Sequence, residues 1–339
     1  MTALRLIDTK RFAETMRGRI IRPASREVLV SRLEASDQET DLTLPPNCAG
    51  LGRIRHFRRE TAVGWPSNPL PIDPAARALG LRPSDLVMAQ VFQNAACAWR
   101  CWYCYVPFNL LAGDERRSEW RTAEELVELW SGEPDRPRVI DLSGGSPDLT
   151  PEWVIWFMEA LEARGLAGEA YLWSDDNLST DYVFTRLTEA DRDRLVAYRN
   201  YGRVCCFKGF DPEAFAFNTG ADPAGWERQF ELFARYVDLG LDVFGYVTLT
   251  GPNPAVVGNS VPRFVDRLSE IAPELPLRVV PLEIVPFTPM REREERRRAA
   301  TGETGRTVQA AAITLWRAEL ERRFSPEQRA RNISDVRLG

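Results

Sequence analysis

Histidine is almost missing from this chain: His56 is the only one in 339 residues. That closes off histidine-built metal sites and catalysis by Ser-His-Asp or Cys-His sets. Lysine is nearly as scarce, with Lys10 and Lys208 the only two among 44 basic residues. There is no long hydrophobic run. The longest, around Trp153 to Leu161, is interrupted by Glu159 and falls short of the ~20 residues that a membrane helix needs. The N-terminus has no continuous apolar core, so no secretory signal is read there and a cytoplasmic location is expected. Excess charge of one sign is small as well: the net charge is −5, which argues against a protein that coats nucleic acid. What is present is a 44% hydrophobic, 10% aromatic composition, which excludes wholesale disorder. A chain this long buries roughly three quarters of its unfolded surface and needs no covalent or metal staple to fold. Its six cysteines, in a reducing compartment, then read as metal ligands, catalytic groups or buried thiols rather than disulfides.

Residues 40–85 are rich in Pro, Gly and Arg and contain Pro45, Pro46, Pro66, Pro69, Pro71, Pro74 and Pro83. Such a composition breaks regular structure, so residues 1–85 are expected to be an extension that wraps a larger body. Within it lies a basic stretch with Arg53, Arg55, His56, Arg58 and Arg59. It reads either as a solvated structural segment or as a phosphate-facing edge of an active site. From Leu86 onward, strand-like and helix-like runs alternate. LVMAQVF, RVIDLS, EAYLWS, RVCCFK, LDVFGYVTL and LRVVPLEIV read as strands. Between them, helices are expected from a capping box at Thr122–Glu125, from Thr150 to about Gly165, and over 183–198, 224–238 and 261–272. Alternation of this kind means βαβ units and a parallel sheet. Six units fit an α/β partial TIM-like barrel, (βα)6, better than a closed eight-unit barrel. The core is expected over 86–290 and a C-terminal helical segment over 291–339, with a last helix at about 306–323. The run REREERRR after Pro289 reads as a solvated helical face.

The chemistry is concentrated just after the first of these strands, at Cys97-Ala-Trp-Arg-Cys101-Trp-Tyr-Cys104. Structural zinc wants four tetrahedral ligands. Three thiolates in eight residues, with no nearby histidine and no second pair, suit a cubane [4Fe–4S] cluster that leaves one iron open. The second strand ends in Ser143-Gly-Gly-Ser-Pro147, which exposes backbone groups at the carboxyl edge of a parallel sheet, where such folds bind ligands. Lys208 ends the fourth strand. In a chain that otherwise uses arginine, it reads as a compact ammonium placed where a planar guanidinium does not fit. Cys205 and Cys206 are adjacent on a strand, so one faces the barrel and one the helices. Cys48 stands alone, which leaves one cluster. Trp99 and Trp102 are expected to pack around it.

Together these residues resemble the radical SAM superfamily. Cys97, Cys101 and Cys104 match its C-x3-C-x2-C signature, and Gly144-Gly145-Ser146-Pro147 matches its G-G-E-P motif with Ser in place of Glu. The resemblance implies that the three cysteines hold a [4Fe–4S] cluster and that S-adenosylmethionine chelates the fourth iron. It implies reductive cleavage to a 5′-deoxyadenosyl radical that abstracts hydrogen from substrate. It also places the Gly-Gly turn at the methionine amino group and Tyr103 near the adenine. A looser likeness links Trp173-Ser-Asp175-Asp176-Asn177 and Cys206-Phe-Lys208 to glycyl-radical-enzyme activases and to wyosine-synthetase-like iron–sulfur oxidoreductases. It implies that Asp175, Asn177 and Lys208 face the cofactor, with Lys208 at the methionine carboxylate. Cys206 stands where activases carry Asp, so only Asp175 remains of their two-aspartate cation site.

The expected protein is therefore a radical SAM enzyme. Its partners are a small-molecule substrate, a metabolite or natural-product intermediate that the Arg-rich segment allows to be phosphate- or nucleotide-linked, and an external electron donor of flavodoxin or ferredoxin type. Lys208, Asp175 and Cys205 are candidate catalytic groups, and Asp175, Asp176, Cys205 and Tyr246 candidate lining groups by strand position. Two rivals stand beside this reading, and a third, a structural zinc protein, is disfavoured by the missing fourth ligand. An activase would place a glycyl radical in a partner protein, and an iron–sulfur electron carrier would bind no S-adenosylmethionine.

Overall fold

The computed structural model describes residues 6–60, 67–296 and 300–339. Pro66 of the proline-rich stretch and Arg297 and Arg298 of the charge run lie outside the described residues. Seven strands form the main sheet: β1 (Gly52–Arg58), β2 (Leu86–Phe92), β3 (Val139–Leu142), β4 (Tyr171–Asp176), β5 (Tyr201–Phe207), β6 (Val243–Val247) and β7 (Val279–Pro281). Their order is β7-β6-β5-β4-β3-β2-β1, parallel throughout except for β1 against β2. The six parallel strands alternate with helices, and the sheet curls into a half-barrel. Right-handed crossovers place those helices on the convex face.

Burial on both faces explains why the strand sequences are nearly continuous apolar runs. Ile140, Leu142, Leu172, Phe207 and Val247 pack outward against Trp153, Phe157, Phe230, Phe233 and Phe264 of the helices. Ala89, Val139, Tyr171, Trp173, Val204, Cys206, Phe244 and Tyr246 form a second core inside the curl, closed below by Leu70, Ile72 and Ile333. Helix boundaries follow local chemistry. The helix expected over 183–198 is two pieces, Tyr182–Thr185 and Glu189–Ala197, because the side chain of Thr188 starts the second through a capping box with Asp191. The helix expected at 261–272 begins earlier, at Val257.

The first 85 residues are more than a wrap. The basic stretch is strand β1, hydrogen-bonded along the whole of β2, so the sheet crosses the boundary expected at residue 85. Glu27–Ser31 pairs with Ser118–Thr122 and also grips the cysteine loop: Ser31 N–H donates to Gln93 O at 2.8 Å and Ala95 N–H to Leu29 O at 2.9 Å.

Between sheet and helices lies an ion pair with almost no solvent. Arg203 donates to Asp176 at 2.8 Å, and the two side chains are 2% and 1% exposed. Tyr236 O–H donates to the same carboxylate oxygen at 2.8 Å. Asp176→Leu leaves the guanidinium buried without its partner and is expected to cost roughly 3–5 kcal/mol. The double variant Asp176→Leu/Arg203→Met is expected to recover most of it. Urea midpoints of the two variants check this, and equal losses in single and double variants would refute it.

Candidate active site

The cysteine loop leaves β2 and is pinned from three sides. Arg100 folds beneath it, donating to the carbonyls of Cys97 at 3.0 Å, Trp99 at 2.8 Å and Leu111 at 3.1 Å. The end of the helix Pro212–Thr219 accepts from it through Thr219 O and Asn218 O. From the C-terminal segment, Arg293 donates to the carbonyls of Trp102, Cys104 and Val106 and lies 3.8 Å above the Phe108 ring. Arg293 belongs to the charge run expected to be solvated, so part of that run is a latch on the loop. Trp99 and Trp102 are buried beside the thiols.

Cys97 and Cys101 are 8% exposed and Cys104 somewhat more. Burial pushes the Cys101 thiol up to about 12, against the pull of the Lys208 ammonium. It raises Cys104 too, with Arg293 and Lys208 opposing. Among the described residues, no three His, Cys, Asp or Glu side chains converge on one metal ion. A mononuclear zinc site would draw its thiolates to about 2.3 Å from a single ion. Three thiols ringed by Arg100, Lys208 and Arg293, with N–H groups of Trp99 (3.5 Å) and Asn177 (3.9 Å) aimed at the Cys97 sulfur, fit a larger anionic iron–sulfur cluster.

The Gly-Gly turn packs against this loop. Gly144 and Gly145 have φ of 83° and 72°, in the left-handed region. A Cβ on Gly145 would lie 2.0 Å from Asn94 Oδ1 and 2.6 Å from Ala96 O, and one on Gly144 2.4 Å from Gln93 Oε1. At Gly145 fixed backbone oxygens leave no room for a side chain, and at Gly144 one would sit in a left-handed conformation and have to displace Gln93. Ser146 ties the turn to the loop. Its N–H donates to Ala96 O at 2.8 Å, and its hydroxyl accepts from Ala98 N–H at 3.4 Å and from Asn177 Nδ2 at 2.8 Å. Pro147 opens the following helical turn. Asn177 thus bridges Gly145, Ser146 and Cys97. Its own turn is held by Asp148, which accepts from Ser179 Oγ at 2.5 Å. Burial and the Asp176 charge raise Asp148 to about 6.

Lys208 follows β5 and is 7% exposed. Its N–H donates to Gln229 Oε1 at 3.2 Å, and its carbonyl accepts from Asn218 Nδ2 at 2.8 Å. Asn218 also accepts from Trp102 Nε1 at 3.1 Å, so one amide fixes both the lysine and the cysteine loop. Burial works against the Lys208 charge, but Cys206, Tyr103, Cys101 and Cys97 around it outweigh that and hold its pKa well above the ordinary value. Tyr103 hydrogen-bonds Thr248 at 3.0 Å, with its ring edge-on to Trp102.

The fold separates neighbours that sequence position alone grouped together. Asp175 pairs with Val204 and Cys206 with Tyr246 on the inner face. Asp176 and Cys205 pair with each other on the outer face, against the helices. Cys205 and Asp176 are therefore removed from the lining groups, and Cys206 takes the place expected of Cys205. Arg53 and Arg55 turn inward from β1, Arg55 to Asp141 and Ser143 at 3.3 Å each, and Arg53 to Tyr105 O–H at 2.7 Å. His56 turns away, to Thr43. Asp141, Asp148, Asn218 and Arg293 are contributors that the sequence reading leaves out. Only Asp141 carries a signal there, as the one acid in an otherwise apolar strand.

A model of the Radical SAM superfamily matches residues 94–260. Among solved structures, the chain is similar to SuiB of Streptococcus suis bound to the precursor peptide SuiA (13% identity, TM-score 0.38, 52% of this chain and 36% of that one). It is also similar to SuiB (14%, 0.38, 53% and 36%) and to SuiB bound to S-adenosylmethionine (14%, 0.40, 62% and 46%). The aligned part spans less than half the length of those chains. No curated protein matches significantly. The family match begins at Asn94, where the cysteine loop leaves β2, and runs through the Gly-Gly turn and Lys208 to Ser260, so the cysteine loop, the turn and the lysine all lie within the residues that match the Radical SAM superfamily.

Proposed function

We propose that this radical SAM enzyme abstracts hydrogen from a small polar molecule held in the half-barrel, above its apolar floor. Its cofactors are a [4Fe–4S] cluster and S-adenosylmethionine. When bound, they supply an electron and a 5′-deoxyadenosyl radical. Cys97, Cys101 and Cys104 would hold the cluster, Gly144 and Gly145 would receive the methionine amino group, and Lys208 would pair with the methionine carboxylate. Tyr103 would pack near the adenine. Asn177 and Ser146 join the turn to the loop, so cluster and cofactor keep one register. The observation that carries the reading is the layer of inward polar side chains, Arg53, Arg55, Asp141, Asp175 and Tyr246, on the same face as Cys206 and Lys208. These charged and phenolic groups give a small polar molecule several groups to bond, which favours a small substrate over a glycyl-radical partner. A flavodoxin or ferredoxin would deliver the electron.

The test is anaerobic reconstitution and incubation with metabolite pools, reading substrate loss by mass beside 5′-deoxyadenosine. Turnover of a small molecule supports the reading, whereas 5′-deoxyadenosine formed only with a partner protein would overturn it.

The latch gives a separate prediction. Arg293→Met removes the common donor to three loop carbonyls, each bond contributing about 1 kcal/mol. Iron loss to a chelator is expected to quicken several-fold, with the initial iron content unchanged. Equal rates in the variant and the parent protein would count against the latch.

A further inference from the structure

On the inner face below Lys208, strand β3 carries Asp141, paired with Trp173, and β4 carries Asp175, the next inward residue, paired with Val204. Asp141 is fully buried, and Arg55 reaches only one of its oxygens, at 3.3 Å. Oδ1 of Asp141 and Oδ1 of Asp175 are both buried without a hydrogen-bond partner. Gln93, on the same face beside Ser143 and also fully buried, has neither amide atom partnered. Buried polar atoms are almost always satisfied, and leaving one unmade is costly. Unpartnered acceptors on two neighbouring inward carboxylates are places kept for donors that a ligand brings.

The charge balance decides which kind of donor. Arg55 is engaged by Asp141 and Ser143 and stacked over Phe57 at 4.1 Å, and Arg53 is bonded to Tyr105. Burial and the neighbouring Asp175 push Asp141 up to about 7, against the pull of Arg55 and Arg53. Burial likewise leaves Asp175 above the ordinary carboxylate range. Both unpartnered acceptors belong to carboxylates, so the fitting partner is a donor with no negative charge of its own. An incoming carboxylate or phosphate has no hydrogen to give them, and a hydroxyl has one for two acceptors, whereas an ammonium has three. The phenols of Tyr105 and Tyr246 face the same space without adding a charge.

We propose that Asp141 and Asp175 form a subsite for a protonated amine of the substrate, the ammonium donating to Oδ1 of each. The proposal rests on reading this end of the barrel as the substrate site, and it narrows the substrate to an amine-bearing molecule. Arg55 then acts as a positioning residue, since it holds the Asp141 carboxylate with its free oxygen turned inward.

Butylamine is the probe, with 1-butanol as the neutral counterpart and butyrate as the anionic one. Each is titrated by calorimetry into reconstituted protein with and without S-adenosylmethionine. The amine is expected to bind at least tenfold more tightly than either counterpart, as charge-assisted hydrogen bonds exceed neutral ones. Asp141→Asn keeps the shape and removes the charge. It is expected to weaken the amine tenfold or more, while iron content and S-adenosylmethionine affinity on the same sample stay as in the parent. Butanol or butyrate binding as tightly as the amine, absence of amine binding, or unchanged amine affinity in Asp141→Asn each overturns the subsite. Because the cofactor measurements are separate, a protein that loads iron and S-adenosylmethionine but rejects the amine refutes only this inference. A protein that takes the amine but loads neither refutes the radical SAM reading instead.

Discussion

Replacing Cys97, Cys101 or Cys104 by alanine is expected to abolish iron binding and all S-adenosylmethionine cleavage, while the fold survives. A [4Fe–4S] cluster here has only three thiolates, and among the described residues no other His, Cys, Asp or Glu group converges with them. Loss of one ligand therefore leaves two, with no substitute at hand. Folding is a different matter. The loop is held by Arg100, Asn218, Arg293 and the backbone pairing of Ala95, none of which uses a cysteine sulfur. Deleting a buried sulfur costs about the packing of one small side chain, roughly 1–2 kcal/mol. Circular dichroism should be unchanged in each variant. Reconstituted parent protein should hold about four irons and four sulfides, the content of one cubane. Cys48→Ala should keep that content, since Cys48 sits apart on the tight turn before β1, its N–H on Glu133 at 2.8 Å. Iron retained in a Cys101→Ala variant, or lost in Cys48→Ala, would mean a different ligand set.

Lys208→Ala is expected to weaken S-adenosylmethionine roughly ten- to a hundredfold without emptying the cluster site. A charge-assisted hydrogen bond contributes about 1.5–3 kcal/mol, which gives that factor. The backbone at this position is fixed independently, by Gln229 from one side and Asn218 from the other. The substitution therefore removes an ammonium without moving the strand end. Lys208→Arg should give partial loss. A guanidinium is planar and longer, and Tyr103 and Cys206 crowd the space beside Cys101. Equilibrium dialysis with iron analysis on the same anaerobic sample separates the effects. Unchanged affinity with the cluster intact would remove Lys208 from the cofactor site. Lost iron would assign it to the cluster instead.

Local pattern carried much of this protein. The alternation of apolar runs with capped helical segments specifies βα units, because hydrophobic periodicity and caps act within a few residues of chain. The spacing of Cys97, Cys101 and Cys104 and the pair Gly144-Gly145 are likewise local, since one loop and one turn can be recognised where they stand. Even the break at Thr188 is written in its capping box.

What the chain could not specify locally is the phase of its buried strands and the destination of its arginines. A strand buried on both faces shows no polar–apolar alternation, so nothing in Asp175-Asp176 or Cys205-Cys206 tells which member faces inward. Pairing with β3 and β6 decides it, turning Asp175 and Cys206 in and leaving Asp176 to Arg203 on the outside. Arg53 and Arg55 look like surface charge until β1 pairs antiparallel with β2 and aims them at Tyr105 and Asp141. Arg293 looks solvated until the C-terminal segment returns, 189 residues after Cys104, to bond its carbonyl. These are long-range contacts, and their energy comes from groups that meet only once the half-barrel has closed around them.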